Sequence, residues 1–295
     1  MIACYGPLMR SKKYCLPMLA KKHIAQYAVF YLLCFLLNYA WSFYHGLLFS
    51  QIEPVYFINK IDITGNLLML SGIQHKLIAS QDWRIFFDLF YLVLPIILTY
   101  ACLKCNRYQT IIAISTALFN IIYNYYYSMM SFVSIEVLVG WMIVPLIFAA
   151  RWPERFYFTL HSVRILFILF FFSAALWKIR AGGIFNSEQM SGILISQHAT
   201  YLIYAHNTFS NFLIFLITHK NISYALYCIA FLFELIFIFG FFTLKFDKYL
   251  LLVFCLFIIF NYILMEINYF TWLPFAGCLY FSRYKIIKIN DKINR

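Results

Sequence analysis

Long apolar runs, separated by short polar or basic segments, dominate the chain. A run of about 20 apolar residues is long enough to cross the hydrocarbon core of a bilayer as an α-helix, which satisfies its own backbone polar groups. The pattern therefore predicts an all-α integral membrane protein with about eight transmembrane helices. The predicted spans are residues 26–44, 85–103, 109–128, 132–150, 156–179, 222–243, 248–265 and a short last one, 268–283.

Two longer stretches between the runs have a mixed character. Residues 46–84 are half polar, and residues 180–220 contain the run FSNFLIFLI, which is too short to span. We expect both to lie along the outer membrane interface. No small-residue cleavage site follows the first run, so we expect an uncleaved helix there. The organisation this predicts is a basic N-terminus (1–25), a polytopic transmembrane domain (26–283) and a basic tail (284–295).

The distribution of charge gives the orientation. The 295 residues are 64% hydrophobic and 12% charged, with a formal net charge of +12. The basic residues lie at the ends of apolar runs, which indicates the lipid bilayer as partner and argues against nucleic acid. With eight spans, sixteen of the 23 Lys and Arg residues fall in the inner segments. The positive-inside rule then predicts that both termini are cytoplasmic, and the Ile-, Phe- and Asn-rich composition favours a bacterial inner membrane.

Ionisable residues inside the runs are the first candidates for function. His161, Arg164 and Lys178 lie on one side of the predicted fifth helix. A charge that faces lipid costs several kcal/mol, so this side should face the protein interior or a wet cavity. Glu234, in the sixth span, also needs a partner. Counting from the inner helix ends puts Arg164 and Glu234 at the same depth, which predicts an ion pair between them.

Other polar residues allow both a structural and a functional interpretation. Asn120 and Asn124 share one face of the third span, where they would support helix packing. Asp88, Glu136 and Lys178 lie near the outer membrane face and are either interfacial anchors or a catalytic group. A lysine held among aromatic side chains can give up its proton and act as a general base.

Cysteine and histidine chemistry has little support in the sequence. The Cys102–Cys105 pair has CxxC spacing but follows an apolar run without the pattern of a redox fold. The histidines lack compact ligand spacing, with His198 and His206 a weak pair, so no metal site is expected.

Three short motifs carry a family resemblance. The segment FFFSAALWKIRAGGIFNSEQMSGIL, the helix FELIFIFGFF and the ending MEINYFTW resemble segments of the horizontally transferred transmembrane domain family. That family includes the membrane part of vitamin K-dependent γ-carboxylase. The chain differs from the family pattern in having Ile258 where members often carry a His, and Phe185 where a Trp usually follows the lysine.

The resemblance implies a role for Lys178. In the carboxylase, the corresponding lysine deprotonates the reduced vitamin at the lumenal side, so Lys178 would be the base at the outer face. The expected cofactor is then a quinone, with Glu136 and Asp88 as candidates to tune the lysine. The alternatives are a non-enzymatic membrane subunit that anchors a membrane or periplasmic partner protein, and a transporter. The transporter is disfavoured because no internal repeat is visible.

Overall fold

A computed structural model describes residues 7–53, 63–104, 108–131, 142–150, 152–204 and 207–282. Every regular element in these ranges is a helix, in agreement with the predicted all-α class. The α-helices are α1 (Pro7–Tyr44), α2 (Ile63–Leu70), α3 (Ile73–Ala79), α4 (Gln81–Leu103), α5 (Gln109–Ser131), α6 (Val144–Ala149), α7 (Pro153–Arg180), α8 (Gln189–Gln197), α9 (Ala199–Tyr204), α10 (Thr208–Thr218), α11 (Lys220–Leu235), α12 (Phe239–Phe242), α13 (Asp247–Met265) and α14 (Ala276–Phe281). Short 3₁₀ turns cover Gly183–Phe185, Ile236–Ile238 and Phe270–Phe275.

Five stretches are long and apolar enough to cross a membrane. They are Lys21–Tyr44, Gln81–Leu103, Glu154–Arg180, Lys220–Phe242 and Asp247–Met265. Each corresponds to a predicted span, so the apolar helices support membrane association.

The other three predicted spans differ from these five. α5 has 23 residues, but polar side chains such as Asn120 lower its hydropathy. Most of the predicted fourth span, including Glu136, lies outside the described residues, and α6 has only six residues. In place of the predicted eighth span, the 3₁₀ turn Phe270–Phe275 leads into the short α14. The count of eight spans stays a prediction.

Local chemistry places several helix ends. Gly182 has a φ of 75°, a left-handed conformation that glycine adopts without strain, directly after α7. Asn207 caps α10 by accepting a hydrogen bond from the backbone N–H of Ser210, at 2.9 Å. The segment between α7 and α11 is divided into the short helices α8, α9 and α10.

The chain divides into two compact units, and the first contains residues 1–161 and 281–295. Its described part is built on α4, against which α1 and α5 pack. A long-range hydrogen bond supports this core, since Tyr27 donates to the carbonyl of Met142 at 2.8 Å. Tyr91 and Tyr123 stack at the α4–α5 contact, with ring centroids 3.9 Å apart.

The second unit contains residues 162–280. α8 packs against α10, α11 and α13, and its Met190 and Leu194 belong to a small core with Leu213, Leu216 and Tyr227. Phe167 and Phe171 of α7 make a second core with Phe237 and Phe254. Phe171 stacks on Phe237, and the other ring contacts are edge-to-face. The residues of the candidate site come from α7, α11, α13 and the segment from Tyr269 to Trp272, and two of them, Phe171 and Phe254, belong to this second core.

Candidate functional site

The site begins at the C-terminal end of α7, where a glycine turn follows the helix. A Cβ atom on Gly183 would lie 2.6 Å from the hydroxyl oxygen of Tyr227, so any larger residue must displace that hydroxyl. Tyr224 donates a hydrogen bond to the carbonyl of Ile184 at 2.6 Å. Two tyrosines of α11 therefore hold the turn and fix the end of α7 beside α11.

Lys178 and Glu234 form an ion pair at this place. The Nζ atom of Lys178 donates to Oε1 of Glu234 at 2.7 Å and lies 5.5 Å from the ring centroid of Tyr227. The lysine side chain is 25% exposed, whereas the glutamate side chain is 5% exposed. A buried carboxylate is tolerated when a cation compensates its charge, and Lys178 provides that cation for Glu234.

An aromatic cavity adjoins this pair. Its volume is about 120 Å³, of the order of an apolar cavity that holds a single aromatic ring. Its lining comes from α7, α11, α13 and the 3₁₀ turn Phe270–Phe275. The lining residues are Phe170, Phe171, Ala174, Glu234, Phe254, Phe257, Tyr269 and Trp272.

Glu234 is the only carboxylate among the described residues of that lining, and one of its two oxygen atoms has no hydrogen-bond partner there. Its Oε1 atom accepts from Lys178, while its buried Oε2 atom has no hydrogen-bond partner among the described residues. A buried acceptor without a partner is costly, because it has lost its hydration without a replacement. A hydrogen-bond donor that reaches Oε2 would supply the missing partner.

The structure corrects the predicted Arg164–Glu234 pair. Arg164 instead binds Asp247 through two parallel hydrogen bonds, Nε to Oδ2 at 2.8 Å and Nη2 to Oδ1 at 2.5 Å. It also donates to the carbonyls of Gly240 and Thr243, at 2.8 and 3.3 Å. The arginine is 1% exposed and every one of these partners is near the turn between α12 and α13.

The depth estimate behind the prediction explains the error. The predicted depths took Phe156 as the inner end of the helix. In the structure α7 begins at Pro153, and Arg164 lies level with the turn between α12 and α13. Lys178 lies fourteen residues further along α7, or about 21 Å at 1.5 Å per residue. That distance brings the lysine, and not the arginine, to the height of Glu234.

Asp88 has a structural role in the first unit. Its carboxylate accepts from the backbone N–H groups of Phe49 and Ser50, at 3.1 and 2.8 Å, and from the hydroxyl of Tyr123 at 2.6 Å. It is 3% exposed and joins the turn after α1 to α4 and α5. These contacts occupy both oxygens, so Asp88 anchors the bundle. Glu136, the other residue expected to tune Lys178, lies outside the described residues.

The predicted polar face of α5 is buried at its centre. Asn120 donates to the hydroxyl of Tyr91 at 3.2 Å, and Asn124 donates to the backbone carbonyl of Asn120 at 2.8 Å. The first bond joins α5 to α4, whereas the second lies within α5, and the packing role of the pair stays a prediction.

Metal and thiol chemistry gain no support. In the described ranges, no group of three or more His, Cys, Asp or Glu side chains gathers at one point. His198 is buried and binds the carbonyl of Leu264 through Nε2 at 2.8 Å, while His206 lies outside the described residues. Cys102 is buried, and Cys105 also lies outside them.

Sequence reasoning missed the partner Asp247 and the cavity itself. Asp247 lies between Lys245 and Lys248 at the start of α13, where an acidic residue is easily taken to be solvated. For the cavity, the phenylalanines of α7 gave no signal beyond apolarity, but Tyr269 and Trp272 lie in the MEINYFTW segment already noted. A comparison of the chain with protein-family models, curated proteins and solved structures gives no match.

Proposed function

We propose that this chain is a multi-pass membrane protein whose cavity binds a lipid-soluble aromatic molecule, such as a quinone in its reduced form. The observation that carries the proposal is the unpartnered Oε2 atom of Glu234 in the lining of an aromatic cavity. The phenylalanine walls favour an apolar ring, and the carboxylate favours a hydroxyl group on that ring.

The ion pair gives this site a path for a proton. A ring hydroxyl that donates to Oε2 of Glu234 is two hydrogen bonds from the partly exposed ammonium of Lys178. The family resemblance assigns the role of base to Lys178. Because the lysine already donates to Oε1 of Glu234, we assign the contact with the ligand to Glu234, and Lys178 acts through it. In this proposal a proton leaves the ligand for the carboxylate and exchanges with water beside the lysine.

The topology belongs to the same proposal. Eight spans with both termini in the cytoplasm of a bacterium place the Lys178 end of α7 at the outer face of the inner membrane. The glycine turn and the short helices α8 to α10 then lie at the outer interface. A cysteine introduced at Asn186, in a background without native cysteines, should react with a membrane-impermeant maleimide added outside. Reaction only from the cytoplasmic side would overturn this orientation.

Ligand binding is tested with 1-naphthol, an apolar ring with a single hydroxyl. The purified protein in nanodiscs should bind it saturably by equilibrium dialysis, after subtraction of empty nanodiscs. Ala174→Phe fills the cavity from one of its walls and should weaken binding at least tenfold. Ala225→Phe is the matched control, because it makes the same change on an exposed position of α11.

Two outcomes contradict the proposal: no saturable binding by the wild-type protein, or equal binding by the Ala174→Phe and Ala225→Phe variants. In either case the non-enzymatic membrane subunit that anchors a partner protein becomes the better interpretation.

A further inference from the structure

Trp272 supplies a second unused polar group in the lining of the aromatic cavity. Its buried Nε1 atom has no hydrogen-bond partner in the part of the chain that the structure describes. An indole N–H can only donate, so the missing partner must be an acceptor. The cavity lining therefore contains an unused acceptor on Glu234 and an unused donor on Trp272.

Aromatic neighbours hold the indole ring in place. Its centroid lies 6.1 Å from those of Phe170 and Phe171, and 6.0 Å from that of Tyr269, all in edge-to-face contacts. The same three residues line the cavity, and none of these ring contacts uses the N–H group as a hydrogen-bond donor to an oxygen. A fixed donor in an apolar wall discriminates strongly between ligands with and without an acceptor, because a ligand without an acceptor leaves the donor unpaired.

We propose that Trp272 is a specificity-determining residue that donates a hydrogen bond to an oxygen of the bound ring. This inference rests on the proposed function, since it assumes that the cavity is a ligand site. It narrows the ligand class to aromatic molecules that carry an oxygen acceptor, and it excludes plain aromatic hydrocarbons as good ligands.

The test uses two probes of similar shape, 1-methoxynaphthalene and 1-ethylnaphthalene. The first has an ether oxygen where the second has a methylene group, and neither can donate a hydrogen bond to Glu234. Trp272→Phe removes the N–H group and keeps an aromatic ring. It should weaken binding of 1-methoxynaphthalene about fivefold, the loss of one ordinary hydrogen bond. Binding of 1-ethylnaphthalene should change much less. Trp177→Phe is the control, since Trp177 is exposed and lies outside the cavity lining.

A second measurement needs no variant. Six tryptophans give six indole N–H signals in protein labelled with ¹⁵N-tryptophan. One signal should move further downfield with 1-methoxynaphthalene than with 1-ethylnaphthalene, because only the ether oxygen accepts its hydrogen bond.

The outcomes separate the two proposals. If 1-naphthol binds but Trp272→Phe weakens both naphthalene probes equally, or neither, the role of Trp272 is wrong and the ligand site stands. The same conclusion follows if no indole signal distinguishes the two probes. If the wild-type protein binds none of the three compounds, both proposals fall.

Discussion

The pairing of Arg164 with Asp247 makes the sharpest prediction about stability. Leucine at position 164 leaves the carboxylate of Asp247 without its cation, and leucine at position 247 leaves a guanidinium that is 1% exposed without its anion. Removal of one member of a buried, hydrogen-bonded pair costs about 3–5 kcal/mol, because the remaining charge has neither water nor a counter-ion. Each single variant should lose that much free energy of unfolding.

The double variant distinguishes a direct pair from two independent losses. Arg164→Leu with Asp247→Leu should lose at least about 2 kcal/mol less than the sum of the single changes, since no unpaired charge remains. A second cycle gives the control: Arg164→Leu combined with Glu234→Leu should be additive within about 0.5 kcal/mol, because these residues have different partners.

Reversible unfolding by SDS in mixed micelles, followed by circular dichroism, measures both cycles. Additivity in the Arg164–Asp247 cycle would refute the reasoning. Strong coupling in the Arg164–Glu234 cycle would do the same and would restore the pair that the sequence predicted.

Three further changes test other parts of the structure. Gly183→Ala should displace the hydroxyl of Tyr227, lower the unfolding midpoint in SDS and weaken binding of 1-naphthol, whereas unchanged binding would show that the turn does not position the site. Asp88→Ala should lose about 2–4 kcal/mol of unfolding free energy, because two backbone N–H groups and a tyrosine hydroxyl lose their acceptor. The affinity of this variant for 1-naphthol should stay within twofold of the wild-type value in equilibrium dialysis. Lys178→Met should weaken binding of 1-naphthol more than Lys178→Arg, because only arginine keeps a cation beside Glu234. In cells both variants should abolish a gene-dependent activity that needs Lys178 to give up a proton, since guanidinium cannot deprotonate to act as a base; full activity with arginine would make Lys178 an anchoring charge only.

Much of the fold follows from the pattern of apolar residues. The five long apolar helices agree with predicted spans, and Gly182 ends α7 where the sequence predicts a break. The need of Glu234 for a cation also follows from physical chemistry alone, because an isolated carboxylate within an apolar run is too costly.

Which anion pairs with which cation cannot be predicted from the sequence in the same way. Arg164 and Lys178 on α7 can pair with Glu234 and Asp247 in two ways, and the choice depends on helix offsets of a few residues. The turn between α12 and α13 decides it, because its carbonyls and Asp247 together bind Arg164. The cavity is harder still to foresee, since phenylalanines that line an opening have the same sequence pattern as phenylalanines that fill a core.

Photo-crosslinking tests the central claim, the ligand site in the aromatic cavity, most directly. A 1-naphthol derivative with a diazirine group is irradiated with the protein in nanodiscs, and the labelled peptides are identified by mass spectrometry. The account predicts labels within residues 170–174, 254–257 or 269–272, which disappear with excess 1-naphthol and in the Ala174→Phe variant. Labels confined to lipid-exposed residues, or labels that persist unchanged in Ala174→Phe, would contradict it.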